Sequence, residues 1–65
     1  MKTIRIIIYP KDVQRITGKS DRYGRLLLSR IRHQFAKQPH QFVSLDEFCQ
    51  FTGLEHDQVA PFLID

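Results

Sequence analysis

The chain has 65 residues, one cysteine and a formal net charge of +3. This length allows at most one domain with a small core, so we expect self-association and no water-free, enclosed active site. The lone Cys49 excludes an intramolecular disulfide, and no apolar run approaches the ~20 residues that span a bilayer.

The charge is divided sharply along the chain. Residues 1–43 carry all ten Lys and Arg against two Asp, a balance of +8, whereas residues 44–65 carry five acidic residues and no Lys or Arg, a balance of −5. A basic segment of this density favours a polyanion as partner, and nucleic acid is the commonest one. The alternative is a solvated helix face whose arginines only aid solubility.

The segment Thr3–Tyr9 is β-branched and aromatic, and Pro10 bounds it, which predicts a strand. Alternation places Ile4, Ile6 and Ile8 on one face of that strand. A secretory signal is not indicated, because Arg5 interrupts the apolar stretch and no small-residue cleavage site follows. We therefore expect a cytoplasmic protein.

Two helices are predicted next. Proline suits the first turn of a helix and glycine its end, so a helix is expected over Pro10–Thr17, followed by Gly18. Ser20 is the candidate N-cap of a longer helix from Asp21 to about Lys37. One apolar stripe at helical spacing runs along that helix: Gly24, Leu27, Leu28, Ile31 and Phe35.

The second half has similar signals. Gln41–Val43 is short and β-prone, and it is the nearest candidate partner for the first strand in an antiparallel pair. Ser44 and Glu47 form a capping-box pair that opens a helix from Leu45 to about Thr52.

Gly53 closes that helix, and a last short helix begins near His56. Its regular part should end near Ala60, because the ring of Pro61 removes a hydrogen bond. The predicted fold class is α+β and mainly α: four helices with a short two-stranded ribbon, arranged as two helix-turn-helix-like hairpins in a single domain.

The two halves also match at an offset of 35 residues. Thr17–Gly18 aligns with Thr52–Gly53, and apolar residues align on both sides of that turn. This pattern indicates a β-α-α pseudo-repeat over residues 3–37 and 38–65. Packed together, the two units bury apolar faces that neither could bury alone. A coincidence of two similar helical hairpins is the alternative.

Each half resembles a helix-turn-helix, which lays its second helix in the major groove of DNA. In the second half the small, turn and apolar positions of that pattern are occupied by Cys49, Gly53, Leu54, Val59 and Phe62. In the first half Gly18 is the turn and Val13, Gly24 and Leu27 fill core positions.

The first half departs from the pattern at two positions: Gln14 replaces the small residue and Lys19 replaces the apolar residue after glycine. With its Thr17–Ser20 turn, most of the chain resembles short bacterial proteins described as helix-turn-helix-like or excisionase-like. The resemblance implies a DNA-binding regulator or an accessory factor of a mobile element.

Only the first hairpin has the chemistry for phosphate and base contacts, since the matching positions of the second are Glu55, His56 and Asp57. We expect the face Ser20–Ser29 to enter a groove while the other cations hold phosphates. The predicted nucleic-acid-binding residues are Lys11, Arg15, Lys19, Ser20, Arg22, Arg25, Ser29, Arg30 and Arg32. A homodimer through the isoleucine strand or Leu26 would supply a second half-site.

The alternative function is a protein-interaction adaptor or oligomerising module that binds no nucleic acid, with the acidic half and the isoleucine edge as its working surfaces. Thr17–Ser20 is not expected to be a P-loop, because Val13 stands where that loop needs glycine. The three histidines and Cys49 lack the spacing of a zinc site. We therefore expect no enzyme, no metal or other cofactor, no small-molecule substrate and no membrane partner.

Overall fold

The computed structural model describes residues 5–63. Its elements in chain order are β1 (Ile7–Ile8), α1 (Pro10–Thr17), α2 (Asp21–Gln34), β2 (Val43–Ser44), α3 (Leu45–Thr52), α4 (His56–Val59) and one 3₁₀ turn (Ala60–Leu63). Four helices and an antiparallel two-stranded ribbon confirm the predicted α+β, mainly α class.

The two strands pair in the antiparallel sense, as predicted, although each is only two residues long and β2 includes only Val43 of the predicted Gln41–Val43. Ile8 lies opposite Val43 and Ile7 lies opposite Ser44. The expected common face of the isoleucines is wrong for Ile6, which is 70% exposed whereas Ile8 is 2% exposed. The ladder ends at Ile7, and beyond it the carbonyl of Ile6 accepts the N–H of Leu45 as the chain enters α3. Ile4 lies outside the described residues.

Helix α1 has the predicted bounds, and an unpredicted buried carboxylate holds its first turn. Asp12 is fully buried and accepts the backbone N–H of Tyr9 at 2.8 Å. The guanidinium of Arg5 donates to both of its carboxylate oxygens, at 2.8 and 3.0 Å. Burial raises the pKa of Asp12, but the bonds from Arg5 and Tyr9 outweigh it and leave the pKa below its usual value. This pair therefore ties the start of the ribbon to α1.

Helix α2 begins at the predicted N-cap, where the hydroxyl of Ser20 accepts the N–H of Tyr23 at 3.2 Å. The predicted end at Lys37 is wrong, because the helix ends at Gln34. Ala36 adopts the left-handed conformation, with φ of 55°. The N–H groups of Ala36 and Lys37 then close a Schellman motif on the carbonyls of residues 33 and 32.

Helix α3 has the predicted capping box, with reciprocal bonds of 2.9 and 3.1 Å between Ser44 and Glu47. It ends at Gly53, as predicted, in the left-handed conformation. Pro61 falls in the 3₁₀ turn that replaces the end of α4. The core between the two hairpins contains Ile8, Val13, Leu27, Leu28, Ile31, Val43, Phe48, Cys49, Val59 and Leu63.

The two halves repeat their geometry at the offset of 35. Helices α1 and α3 both have eight residues and start 35 residues apart, and α2 and α4 also start 35 apart. The ribbon register joins Ile8 to Val43, which are separated by the same offset. Helix α2 packs on α3 while the 3₁₀ turn packs on α1. These placements describe an approximate two-fold axis through the ribbon.

Candidate nucleic-acid interface

Helix α2 presents Arg22 and Ser29 on the side opposite its buried stripe. Gly24, Leu27, Leu28 and Ile31 are buried, as the apolar spacing predicted, and Phe35 is partly buried against the core. Arg22 and Ser29 are both exposed and lie seven residues apart, which places them two turns apart on one face. We call Arg22 and Ser29 the outer row of α2.

The other arginines of α2 lie on two flanks of the outer row. Arg25 and Arg32 are also seven residues apart, and both line the same cleft beside the ribbon. Arg30 is exposed about 140° further around the helix from Arg25. The predicted site residues of α2 therefore form three rows, and no single row contains them all.

Pairing with carboxylates is limited in this region. The Nε atom of Arg25 donates to Oδ2 of Asp21 at 2.7 Å, which raises the pKa of Arg25. Within residues 5–63, Arg22, Arg30 and Arg32 make no ion pair. These three guanidiniums are available to an external anion.

Helix α1 adds Lys11 and Arg15, which are exposed on successive turns. Its start lies against α2 at Gly24, where an added Cβ would come within 2.8 Å of the carbonyl oxygen of Pro10. In the turn before α2, the ammonium of Lys19 lies 5.4 Å from the centre of the ring of Tyr23. The turn and both helices therefore contribute cations to one hairpin.

Two cations of the basic half have structural roles instead. Arg5 is bound to Asp12, as described above. Lys37 donates to the carbonyl oxygen of Phe42 at 2.9 Å and lies 3.0 Å from a carboxylate oxygen of Glu47. Burial raises the pKa of Glu47, but bonds from Ser44 and Lys37 outweigh it and lower the pKa overall. Lys37 thus fixes the connection between α2 and β2.

The second hairpin has an acidic surface. An open groove of about 510 Å³, here called the acidic groove, lies between α3 and α4 and is lined by Asp46, Cys49, Gln50, Leu54, Glu55, His56 and Asp57. Nε2 of His56 lies 2.8 Å from a carboxylate oxygen of Asp46. Burial and the neighbouring carboxylates raise the pKa of the Cys49 thiol, which disfavours a reactive thiolate. The negative charge of the groove opposes phosphate binding at the second hairpin.

Sequence reasoning missed a second feature of the basic hairpin, a cleft of about 260 Å³ between α2 and the ribbon. Tyr9 and Phe42 stand at its edge, with ring centroids 6.3 Å apart and ring planes at 89°. The predicted strand pairing was the signal that could have found it, because it brings these two aromatic residues side by side. A smaller cleft of about 180 Å³ adjoins it, lined by Ser29, Arg32, His33, Lys37 and Pro39.

Among the described residues, no group of three or more His, Cys, Asp or Glu is placed to hold a metal ion, and no helix has the length and apolar character to cross a membrane. Comparison with protein-family models, curated proteins and solved structures finds no match to this chain.

Proposed function

We propose that this protein binds DNA through α2 of the basic hairpin, as a small regulator or an accessory factor of a mobile element. The observation that carries the proposal is the outer row and its flanks. Arg22, Arg30 and Arg32 make no ion pair within residues 5–63, while the acidic groove lies on the other hairpin.

The dimensions of the hairpin suit the major groove. A helix with its side chains is about 10–12 Å wide, and the groove is about 12 Å wide. Arg22 at the front of the outer row would contact base edges, since arginine grips guanine with two hydrogen bonds. Arg30 on one flank and Arg32 on the other would hold the phosphates of the two groove walls.

Helix α1 would lie across the DNA backbone, with Lys11 and Arg15 on phosphates, and Lys19 and Ser20 would approach at the turn. Ile6, which is 70% exposed, offers an apolar contact for a second copy of the chain, whereas Leu26 lies between Arg22 and Arg30 on the face of α2 that would enter the groove. A symmetric dimer would place a second α2 in a second half-site.

The test is a binding titration on a short mixed-sequence duplex over a salt series. Arg22→Gln should weaken binding by about 1–3 kcal/mol if the guanidinium contacts a base. The matched control is Gln50→Glu, an exposed change on α3 that lowers the net charge by the same one unit. If the arginines only aid solubility, the two variants will bind the duplex equally, and the proposal fails.

The acidic groove favours a second candidate function, a protein adaptor that binds a basic segment of another protein. It is open, about 510 Å³ in volume and lined by three carboxylates, with Leu54 beside them. A pull-down after nuclease treatment tests this candidate. Recovery of a protein that no longer binds the Asp57→Lys variant would support it. Recovery of nucleic acid alone, in a parallel pull-down without nuclease, would contradict it.

A further inference from the structure

The cleft between α2 and the ribbon combines aromatic rings with cations, and we call it the aromatic cleft. Its lining consists of Ile8, Tyr9, Pro10, Arg25, Leu28, Arg32, Phe42 and Val43. None of these described residues is acidic. A cleft with an apolar floor, two rings at its edge and two guanidiniums on one wall is complementary to a flat, apolar group that carries negative charge.

The rings are placed to receive a planar group. Phe42 is 60% exposed and Tyr9 is 36% exposed, although both stand beside the buried Ile8–Val43 pair. The guanidinium carbon of Arg5 lies 5.1 Å from the centre of the Tyr9 ring, so one face of that ring is in use. Because the two ring planes are perpendicular, a flat group stacked on Phe42 meets Tyr9 at the right angle of an edge-to-face contact.

The guanidiniums of the cleft retain donors for an anion. Arg25 uses Nε for its bond to Asp21, and within residues 5–63 its two terminal nitrogens make no hydrogen bond. Arg32 makes no ion pair within the described chain. Seven helical residues separate the two Cα atoms by about 10 Å along the axis of α2. Two guanidiniums at this separation can hold phosphates on either side of one inserted base.

We propose that the aromatic cleft binds one unpaired nucleotide of a nucleic-acid strand, with its base stacked on Phe42 and the adjoining phosphates on Arg25 and Arg32. The inference rests on the proposed function, since it assigns part of the same nucleic acid to a second site. A base inside a duplex is stacked on both faces and cannot stack on Phe42 unless it leaves the duplex stack. The cleft therefore selects single-stranded, looped or flipped-out bases.

The first experiment compares Phe42→Leu with Phe51→Leu, which removes an exposed aromatic ring from α3, outside the cleft. Each variant is titrated with a single-stranded oligonucleotide, the duplex of the same sequence and a mononucleotide. Phe42→Leu should weaken single-strand binding roughly 5- to 150-fold, the range expected for one lost base-aromatic stack. Duplex binding by Phe42→Leu and single-strand binding by Phe51→Leu should stay at the wild-type level.

A direct readout comes from tyrosine fluorescence, because the chain has no tryptophan and two tyrosines. In a Tyr23→Phe background Tyr9 is the only tyrosine of the chain, so the tyrosine emission reports on the cleft. The single-stranded oligonucleotide should quench its emission with a saturable titration, and the quenching should need higher concentrations in Phe42→Leu. Unchanged melting temperatures of the variants would show that each one is folded.

Several outcomes would overturn the inference. Equal single-strand affinity of the two phenylalanine variants would show that no base stacks on Phe42. A mononucleotide that binds as tightly as the oligonucleotide would make the site one for free nucleotides, and stronger binding of a phosphotyrosine peptide would assign it to a protein. The duplex arm with Arg22→Gln reports on the proposed function alone, so either proposal can fail while the other is retained.

Discussion

The two helical hairpins share a turn and differ in what the turn presents. Gly18 and Gly53 both adopt the left-handed conformation, with φ of 73° and 80°, and each donates to a carbonyl four residues earlier at 2.8 Å. The helix after the first turn has 14 residues, whereas the helix after the second has four and passes into a 3₁₀ turn at Pro61. Only the longer helix spans enough turns to carry arginines on its outer row and on both flanks.

This difference teaches that the turn and the exposed surface beside it are independent features. The apolar residues around each turn are fixed by the shared core, so the exposed residues that follow are free to differ in charge. The exposed residues that follow the turn include arginines in the first hairpin and carboxylates in the second. The predictions below test how far the equivalence of the two halves extends.

The largest difference is expected between the equivalent first-turn acids Asp12 and Glu47, which are 35 residues apart. Asp12→Ala should lower the free energy of unfolding by about 3 kcal/mol, because it removes a fully buried carboxylate together with its bonds to the Arg5 guanidinium and to the N–H of Tyr9. Glu47→Ala removes a capping box and a partly exposed pair with Lys37, and should cost about 1 kcal/mol. Urea denaturation of both variants checks this, and equal losses would contradict it.

Acid should destabilise the protein through the same two carboxylates. Both have pKa values below their ordinary 3.8 and 4.5, so the unfolded chain binds more protons than the folded one on acidification. The stability that they supply is present above those ordinary values and is lost as the pH falls through the lowered ones. Urea midpoints measured from pH 6 down to about pH 2 should show this fall. The fall should be shallower in Asp12→Asn, and an unchanged slope in that variant would exclude Asp12 as its source.

Helix α2 lacks the glycine that ends α1 and α3, and Ala36 takes the left-handed position instead. Ala36→Gly should therefore stabilise the protein by about 0.5–1 kcal/mol, since glycine adopts this conformation without steric cost. The reverse change, Gly53→Ala, should destabilise it, although an added Cβ would meet open space there. Thermal melts measure both changes, and destabilisation by Ala36→Gly would argue against the Schellman geometry.

The smallest effect concerns two acidic residues in equivalent first turns, Asp21 of α2 and Asp57 of α4. Asp21→Asn removes a negative charge from α2 and ends the ion pair that Asp21 makes with Arg25, so duplex affinity should rise roughly two- to fivefold. Asp57→Asn makes the same change of charge on the acidic hairpin and should leave the affinity nearly unchanged. Equal gains in the two variants would show that net charge, and not the face of α2, governs binding.

Most helix boundaries could be predicted from the sequence because their signals are local. Pro10, Gly18, Ser20 and the Ser44–Glu47 box act within one turn of the backbone, and the structure has each where it was expected. The end of α2 could not be predicted in this way, since Ala36 has no intrinsic preference for the left-handed conformation. The surrounding chain imposes it, including the anchor of Lys37 on Phe42 and Glu47.

The candidate site divides along the same line. The sequence alone determined which residues are basic, which face of α2 is apolar, and that the opposite face is exposed, because helical periodicity fixes these relations. Tertiary structure decided that Arg5 forms an ion pair with Asp12 and that Arg25 and Arg32 line one cleft with Tyr9 and Phe42. Those contacts join residues from the ribbon and from two helices. The distances between these residues depend on how the whole chain packs, and the spacing of residues along the sequence does not determine them.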